Sequence, residues 1–168
     1  AAAAGRDAPP GVPHAFPLAH ACVLPVAARA VDAWLYGPDV AAALAGDPSR
    51  ALRRQQLLVH FGVSRDTGFK LETAAYNRAC FRGADQDGWQ PVDELIDCKM
   101  PLDAPLQCRL PLDAVAAQLS SAGFDVALST DPGRFVCNYI YYRSLQRTRA
   151  LGGVWSVFVH VPHFEHVP

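Results

Sequence analysis

The turn Gly133-Arg134-Phe135-Val136-Cys137-Asn138-Tyr139 leads out of an extended run into a helix, with Cys137 at or just before the first helical turn. Unpaired amides and the positive end of the helix dipole lie at such a place. Both favour a thiolate, and the same amides could hold an oxyanion developing near the sulfur. Cys137 therefore stands where a nucleophile belongs, although a free cysteine is also a common small core residue. A thiolate nucleophile needs a base within reach, and the base needs a group to orient it. Of six histidines, His14 and His20 fall in a leader, and His163 and His166 in a terminal tail. His60 lies inside an apolar run and reads as a satisfied core histidine. His160, in Val157-Phe158-Val159-His160-Val161-Pro162, comes at the C-terminal end of a strand. Ligands and catalytic groups of open α/β sheets gather outside that edge. Base and core filler are both open for it. The third group sought is a carboxylate in apolar company, and Glu72 in Phe69-Lys70-Leu71-Glu72-Thr73-Ala74-Ala75 fits. It could fix the imidazole tautomer, or be an ordinary exposed glutamate near a turn.

These three residues need a scaffold. Residues 1–20 are rich in Ala, Pro and Gly, and Pro9-Pro10 and Pro13 forbid a regular helix or central strand, so a disordered leader is expected. A domain over 21–168 follows. It starts with a short extended run, Cys22–Val26, and a helix with Ala27, Ala30, Val31, Trp34 and Leu35 on its apolar face, stopped at Gly37-Pro38. Asp39–Ala45 reads as a further short helix closed by Gly46-Asp47-Pro48, and Gln56–Phe61 as a buried strand that runs out at Gly62. Residues 82–112, rich in Gly, Asp and Pro, read as a long excursion with a short hairpin at most. Asp113 is placed to cap a helix over 114–121, ended by Gly123, with a strand over 124–129 behind it. A helix from about Cys137 to Arg149 and a strand over 155–161 complete the pattern. Strands alternate with helices and look apolar on both faces, which predicts an α/β fold: a three-layer αβα sandwich around a mostly parallel sheet.

Composition narrows the function classes. With 15 Lys+Arg against 16 Asp+Glu, the 168-residue chain lacks the basic excess of a nucleic-acid binder. No apolar run approaches the roughly 18 residues of a membrane-spanning helix. Five cysteines, odd in number and without C-x-x-C spacing, argue against a disulfide framework and a cysteine-rich zinc site. The expectation is a reduced, soluble, cytoplasmic protein with neither nucleic acid nor membrane as partner.

Three segments in order, LLVHFGVSRDTGFKLETAAYN (57–77), STDPGRFVCNYIYYRSL (129–145) and SVFVHVP (156–162), resemble the pyroglutamyl peptidase I family of cysteine peptidases. Asp87-Gly88-Trp89-Gln90-Pro91 resembles its plant and algal branch. The resemblance implies an α/β sandwich and a Glu–Cys–His catalytic set at Glu72, Cys137 and His160. It implies hydrolysis of the amide after an N-terminal 5-oxoproline of a peptide, with no metal or organic cofactor. Cys137 would attack the acyl carbon, His160 would protonate the leaving amine, and water would release pyroglutamate.

The chain also departs from the family pattern. The Gly-Phe-Gly-Pro-Phe type loop that helps hold the lactam ring is absent, with only a faint echo in His14-Ala15-Phe16-Pro17, so the substrate-binding residues stay unknown. The family's first strand and its closing helix are not found, and the stretch from Gly62 to Glu72 is one residue short. Loss of a sheet strand is expected to leave a backbone edge and apolar surface uncovered, which a second copy of the chain could cover. The alternative to an active peptidase is accordingly a family-derived binding or interaction module without turnover, or an incomplete fragment of a longer protein.

Overall fold

The apolar runs around His60 and His160 become the two longest strands, and they lie side by side. β1 (Gln56–Val63) pairs in parallel with β6 (Val154–Val161), His60 opposite Phe158 and Gly62 opposite His160. β6 is flanked on its other edge by β2 (Phe69–Glu72), which runs antiparallel to it, and β2 pairs in parallel with β5 (Val126–Ser129). The sheet order is β1-β6-β2-β5, so two of its three ladders are parallel. A separate antiparallel pair joins β3 (Ala74–Tyr76) to β4 (Pro105–Gln107). The architecture is described for residues 20–45, 55–163 and 165 of a computed structural model. The expected leader apart from His20, the Gly46-Asp47-Pro48 turn, His14 and His166 lie outside the described residues.

Helices cover both sides of the sheet, as the α/β reading expects. On one side lie α1 (Ala28–Leu35), α2 (Pro38–Ala45) and α4 (Val136–Arg149). Leu35, Val40 and Leu44 pack on Val154 and Leu58. Tyr141, Tyr142 and Leu145 of α4 pack on Phe158. On the other side α3 (Leu112–Ser121) sets Leu112, Val115 and Leu119 against Leu71, Val126, Val157 and Val159. Side chains alternate along a strand. Even-numbered residues of β1, β2 and β6 therefore point to the α4 side, and odd-numbered ones to the opposite side, where α3 packs on β2 and β6.

Two side-chain amides tie the irregular middle of the chain to this frame. Asn77, fully buried, donates to the carbonyls of Asp97, Met100 and Pro101 at 2.9–3.1 Å and accepts from the Asp97 amide at 2.7 Å. Asn138, also buried, accepts from the Tyr76 amide at 2.8 Å and donates to the carbonyls of Tyr76 and Arg78. Asp85 accepts from the Ala28 amide at 2.9 Å and so caps α1, whose own preceding residue, Ala27, has no side chain to do it. The 82–112 excursion is thus held through specific buried hydrogen bonds, with β4 as its one strand among the described residues.

Several boundaries and one face differ from the sequence reading. Cys22–Val26, read as a short extended run, joins no ladder, and Val23 is 98% exposed. β1 does not run out at Gly62 but continues to Val63. Asp113 is not the cap of α3: the helix starts at Leu112 after Pro111, leaving Asp113 inside its first turn. β5 starts at Val126 and not at Phe124, because the amides of Gly123 and Phe124 are spent closing α3 on Ser120 and Leu119. The expectation that the strands are covered on both faces fails for β1. Its α4 side is packed, but Leu57, Val59, Phe61 and Val63 on the other side are exposed, Phe61 by 70%. The reason is reach: α3 spans β6, β2 and β5 and stops short of β1.

Candidate active site

Cys137 is the second residue of α4, as the sequence expects. Phe135 precedes the helix in extended conformation and makes no side-chain cap, and the first bond back along the helix is from the Tyr139 amide to the Phe135 carbonyl at 3.1 Å. The amides of Val136, Cys137 and Asn138 come ahead of that bond, at the positive end of a fourteen-residue helix. Asn138 fastens this first turn to β3. The thiol is partly exposed, a condition for meeting a substrate.

His160 is the penultimate residue of β6 and faces α4. Its Nδ1 lies 2.7 Å from Oε1 of Glu72, and Cys137 is the other ionisable side chain close enough to act on the ring. Burial opposes a charge on the ring, but the hydrogen bonds and charges of Cys137 and Glu72 outweigh it and push His160 up to about 9. Lys70, opposite His160 in the β2–β6 register, spends its charge on Asp66 at 2.8 Å.

Glu72 departs from the reading that would leave it exposed. It is the last residue of β2, it is 0% exposed, and it sits between β6 and β5. A carboxylate so buried must be paired, and His160 is the pair. Its second oxygen, Oε2, has no hydrogen-bond partner among the described residues. The three residues singled out from the sequence thus converge from β2, α4 and β6 onto one spot at the edge of the α4 face.

Two further residues shape this spot. A Cβ added to Gly62 would come within 2.7 Å of the Phe158 ring and 3.1 Å of Cys137 Sγ, so only glycine leaves room for the thiol there. The Phe158 ring lies 4.8 Å from the His160 ring between centroids. Sequence reasoning passed over both, although a glycine inside a strand is itself a sign of close approach. His60, in contrast, is the core histidine expected: it is buried, and Nε2 meets Ser144 Oγ at 2.9 Å.

Comparison with known proteins now bears on the chain as a whole. A family model described as pyroglutamyl peptidase matches residues 50–167. The chain belongs to the pyroglutamyl peptidase family. Pyroglutamyl-peptidase 1 of Rattus norvegicus is 34% identical over a 122-residue alignment that covers 64% of this chain and 49% of the relative. The pyrrolidone-carboxylate peptidase of Cupriavidus pinatubonensis is 35% identical over 99 residues, 58% of this chain and 45% of the relative. The chain therefore spans about half the length of the curated relatives it matches. Among solved structures, the pyrrolidone carboxyl peptidase of Fervidobacterium islandicum superposes with a TM-score of 0.69 at 26% identity, over 83% of this chain and 62% of that one. The enzyme from Thermus thermophilus gives 0.66 at 29% identity, over 83% and 65%. The α/β sandwich and the family likeness read from the sequence both hold.

Proposed function

We propose that this chain is a cysteine exopeptidase that hydrolyses the amide following an N-terminal pyroglutamyl residue of a peptide. Cys137 is the nucleophile, His160 the acid–base, and Glu72 the carboxylate that orients it. The observation that carries the reading is the buried 2.7 Å contact between His160 Nδ1 and Glu72 Oε1, with Cys137 close enough to act on the same ring. The imidazole beside the sulfur is the group placed to take the thiol's proton. The sulfur then attacks the acyl carbon, and the charge building on its oxygen falls to the amides at the start of α4. The imidazolium gives its proton to the leaving amine, and a water activated by the neutral ring frees pyroglutamate from the thioester. None of these steps calls for a metal or organic cofactor. Peptides with a blocked, lactam-bearing N-terminus are the partners this chemistry implies, and the reduced cytoplasm is the compartment that suits a free thiol.

One observation favours a second reading. The outer face of β1 exposes Leu57, Val59, Phe61 and Val63 in a row, the kind of surface that marks an interaction site. On that reading the chain is a binding module, or a second copy covers β1. A fluorogenic pyroglutamyl amide separates the two. Turnover that falls at least about 10³-fold in Cys137→Ala supports the peptidase. A folded wild type whose Cys137 reacts readily with iodoacetamide but releases no fluorophore supports the module.

A further inference from the structure

Cys137 and Tyr141 are four residues apart on α4, so their side chains leave the same face one turn apart. The Tyr141 ring is 0% exposed and packs among Leu106, Leu145 and Phe158. Its hydroxyl donates to the backbone carbonyl of Glu72 at 2.7 Å. The Phe158 ring packs against the same tyrosine, with 6.0 Å between ring centroids. Glu72 and Phe158 are partners in the antiparallel register of β2 and β6. One phenol thus spans the end of the ladder formed by the strand that carries Glu72 and the strand that carries His160. Burial raises its pKa far above the ordinary tyrosine range, so it stays a hydrogen-bond donor at every working pH.

We propose that Tyr141 is a positioning residue for the Glu72–His160 pair, fixing the β2–β6 ladder end to the helix that carries Cys137. The argument rests on the peptidase reading and deepens it. Cys137 acts on the His160 ring, His160 Nδ1 meets the Glu72 carboxylate, and the Glu72 carbonyl returns through Tyr141 to the helix of Cys137. Without the last link, the residue that carries the carboxylate loses its direct hydrogen bond to the helix that carries the thiol. Small misplacements between the two are costly in catalysis. The next residue supplies the control. Tyr142 is equally buried on the same helix, but its hydroxyl has no hydrogen-bond partner among the described residues.

Tyr141→Phe keeps the ring and removes only the link. The expected result is a kcat about tenfold lower with KM within twofold, and a His160 titration, followed by NMR, displaced toward lower pH. Tyr142→Phe is expected to leave both at wild-type values. Because Tyr141 acts through Glu72, its substitution should add nothing in a Glu72→Gln background, a double-mutant test of coupling. Wild-type kcat and titration in Tyr141→Phe, equal losses in the two Tyr variants, or full additivity with Glu72→Gln would each overturn the assignment. If the wild type shows no turnover, the peptidase reading falls, and the His160 titration together with the pH dependence of Cys137 alkylation still decides on the link. Should Tyr141→Phe fail to fold, the wild type serves: the Tyr141 hydroxyl proton should shift as His160 titrates, and an unmoved resonance would overturn the proposal.

Discussion

His60 and His160 stand on adjacent strands, face the same helix and flank the same ring, Phe158, at 6.4 and 4.8 Å between centroids. Both are buried. Yet burial pushes His60 down to about 4, whereas His160 is pushed up to about 9. The difference lies in what each ring meets. His60 touches the neutral hydroxyl of Ser144, which hydrogen-bonds in turn to Ser156 at 2.8 Å, and nothing there stabilises a charge. His160 has a fully buried carboxylate against Nδ1 and a thiol close enough to act on the ring. Desolvation penalises both rings, and only the second has ionisable partners that outweigh it. One face of one sheet therefore holds a structural histidine and a chemically poised one, told apart by the carboxylate and thiol that act on the second ring.

The largest effect should come from removing that carboxylate's charge. Glu72→Gln keeps a hydrogen-bond acceptor near Nδ1 but is expected to lower kcat at neutral pH by about 10²-fold, with KM changed much less. NMR titration should show His160 descending from about 9 toward the behaviour of His60. A rise in KM with kcat retained would make Glu72 a substrate contact instead. Next in size is Gly62→Ala. The added methyl must displace the Phe158 ring or the thiol, so kcat should fall roughly tenfold while His60, two residues away, keeps its titration. Wild-type activity would show that the ring and sulfur shift at no cost.

Much of this contrast is local in the sequence. The start of α4 at Cys137 and the place of His160 near the end of β6 follow from turn residues, an apolar run and Pro162, each of which acts over a few residues. The satisfied state of His60 follows from its place in an apolar strand. The burial of Glu72 was not legible in the same way. Phe-Lys-Leu-Glu is a four-residue strand of mixed polarity, and it becomes one only because β6 and β5 lie on either side. The antiparallel β2–β6 ladder is likewise set by partners 88 residues apart in the His160–Glu72 contact. Asn77 and Asn138 look like ordinary polar residues until the carbonyls they serve are brought to them from across the fold. The bare side of β1 was misread for a related reason. A strand covered on one face and a strand covered on both can have the same apolar run, and only the reach of α3 separates them.

Stability should report the two histidines with opposite signs. His60 is depressed in the folded state, so its contribution is full above about pH 6.5 and is lost as pH falls toward 4. His160 is raised, so its contribution is full below about pH 6.5 and is lost as pH climbs through about 9. Urea unfolding at a series of pH values should therefore show decline on both sides of neutrality. In His60→Gln, which can still bond Ser144, the acid limb should flatten by about 2–3 kcal/mol at pH 4.5, from roughly 1.4 kcal/mol per pKa unit, with the alkaline limb unchanged. Glu72→Gln should flatten the alkaline limb alone. If one substitution altered both limbs, the two rings would be coupled through Phe158, and the separation drawn between them would fail.

The smallest effect is expected one residue from His60. Phe61 follows it in the strand but points the opposite way, onto the open side of β1, where it meets Phe69, Leu71 and Val159 across an apolar hollow. Phe61→Thr should change stability by no more than about 0.5 kcal/mol, because an exposed ring has little burial to lose. It should leave kcat and both histidine titrations untouched, since the sheet's alternation puts a full backbone layer between Phe61 and the thiol. If a second copy covers this row, light scattering should show its association weakened, because the substitution removes the ring exposed there. A loss of activity as large as that of Gly62→Ala would mean that the two faces of β1 do not act independently. In that case whatever covers Phe61 would belong to the catalytic machinery as much as α4 does.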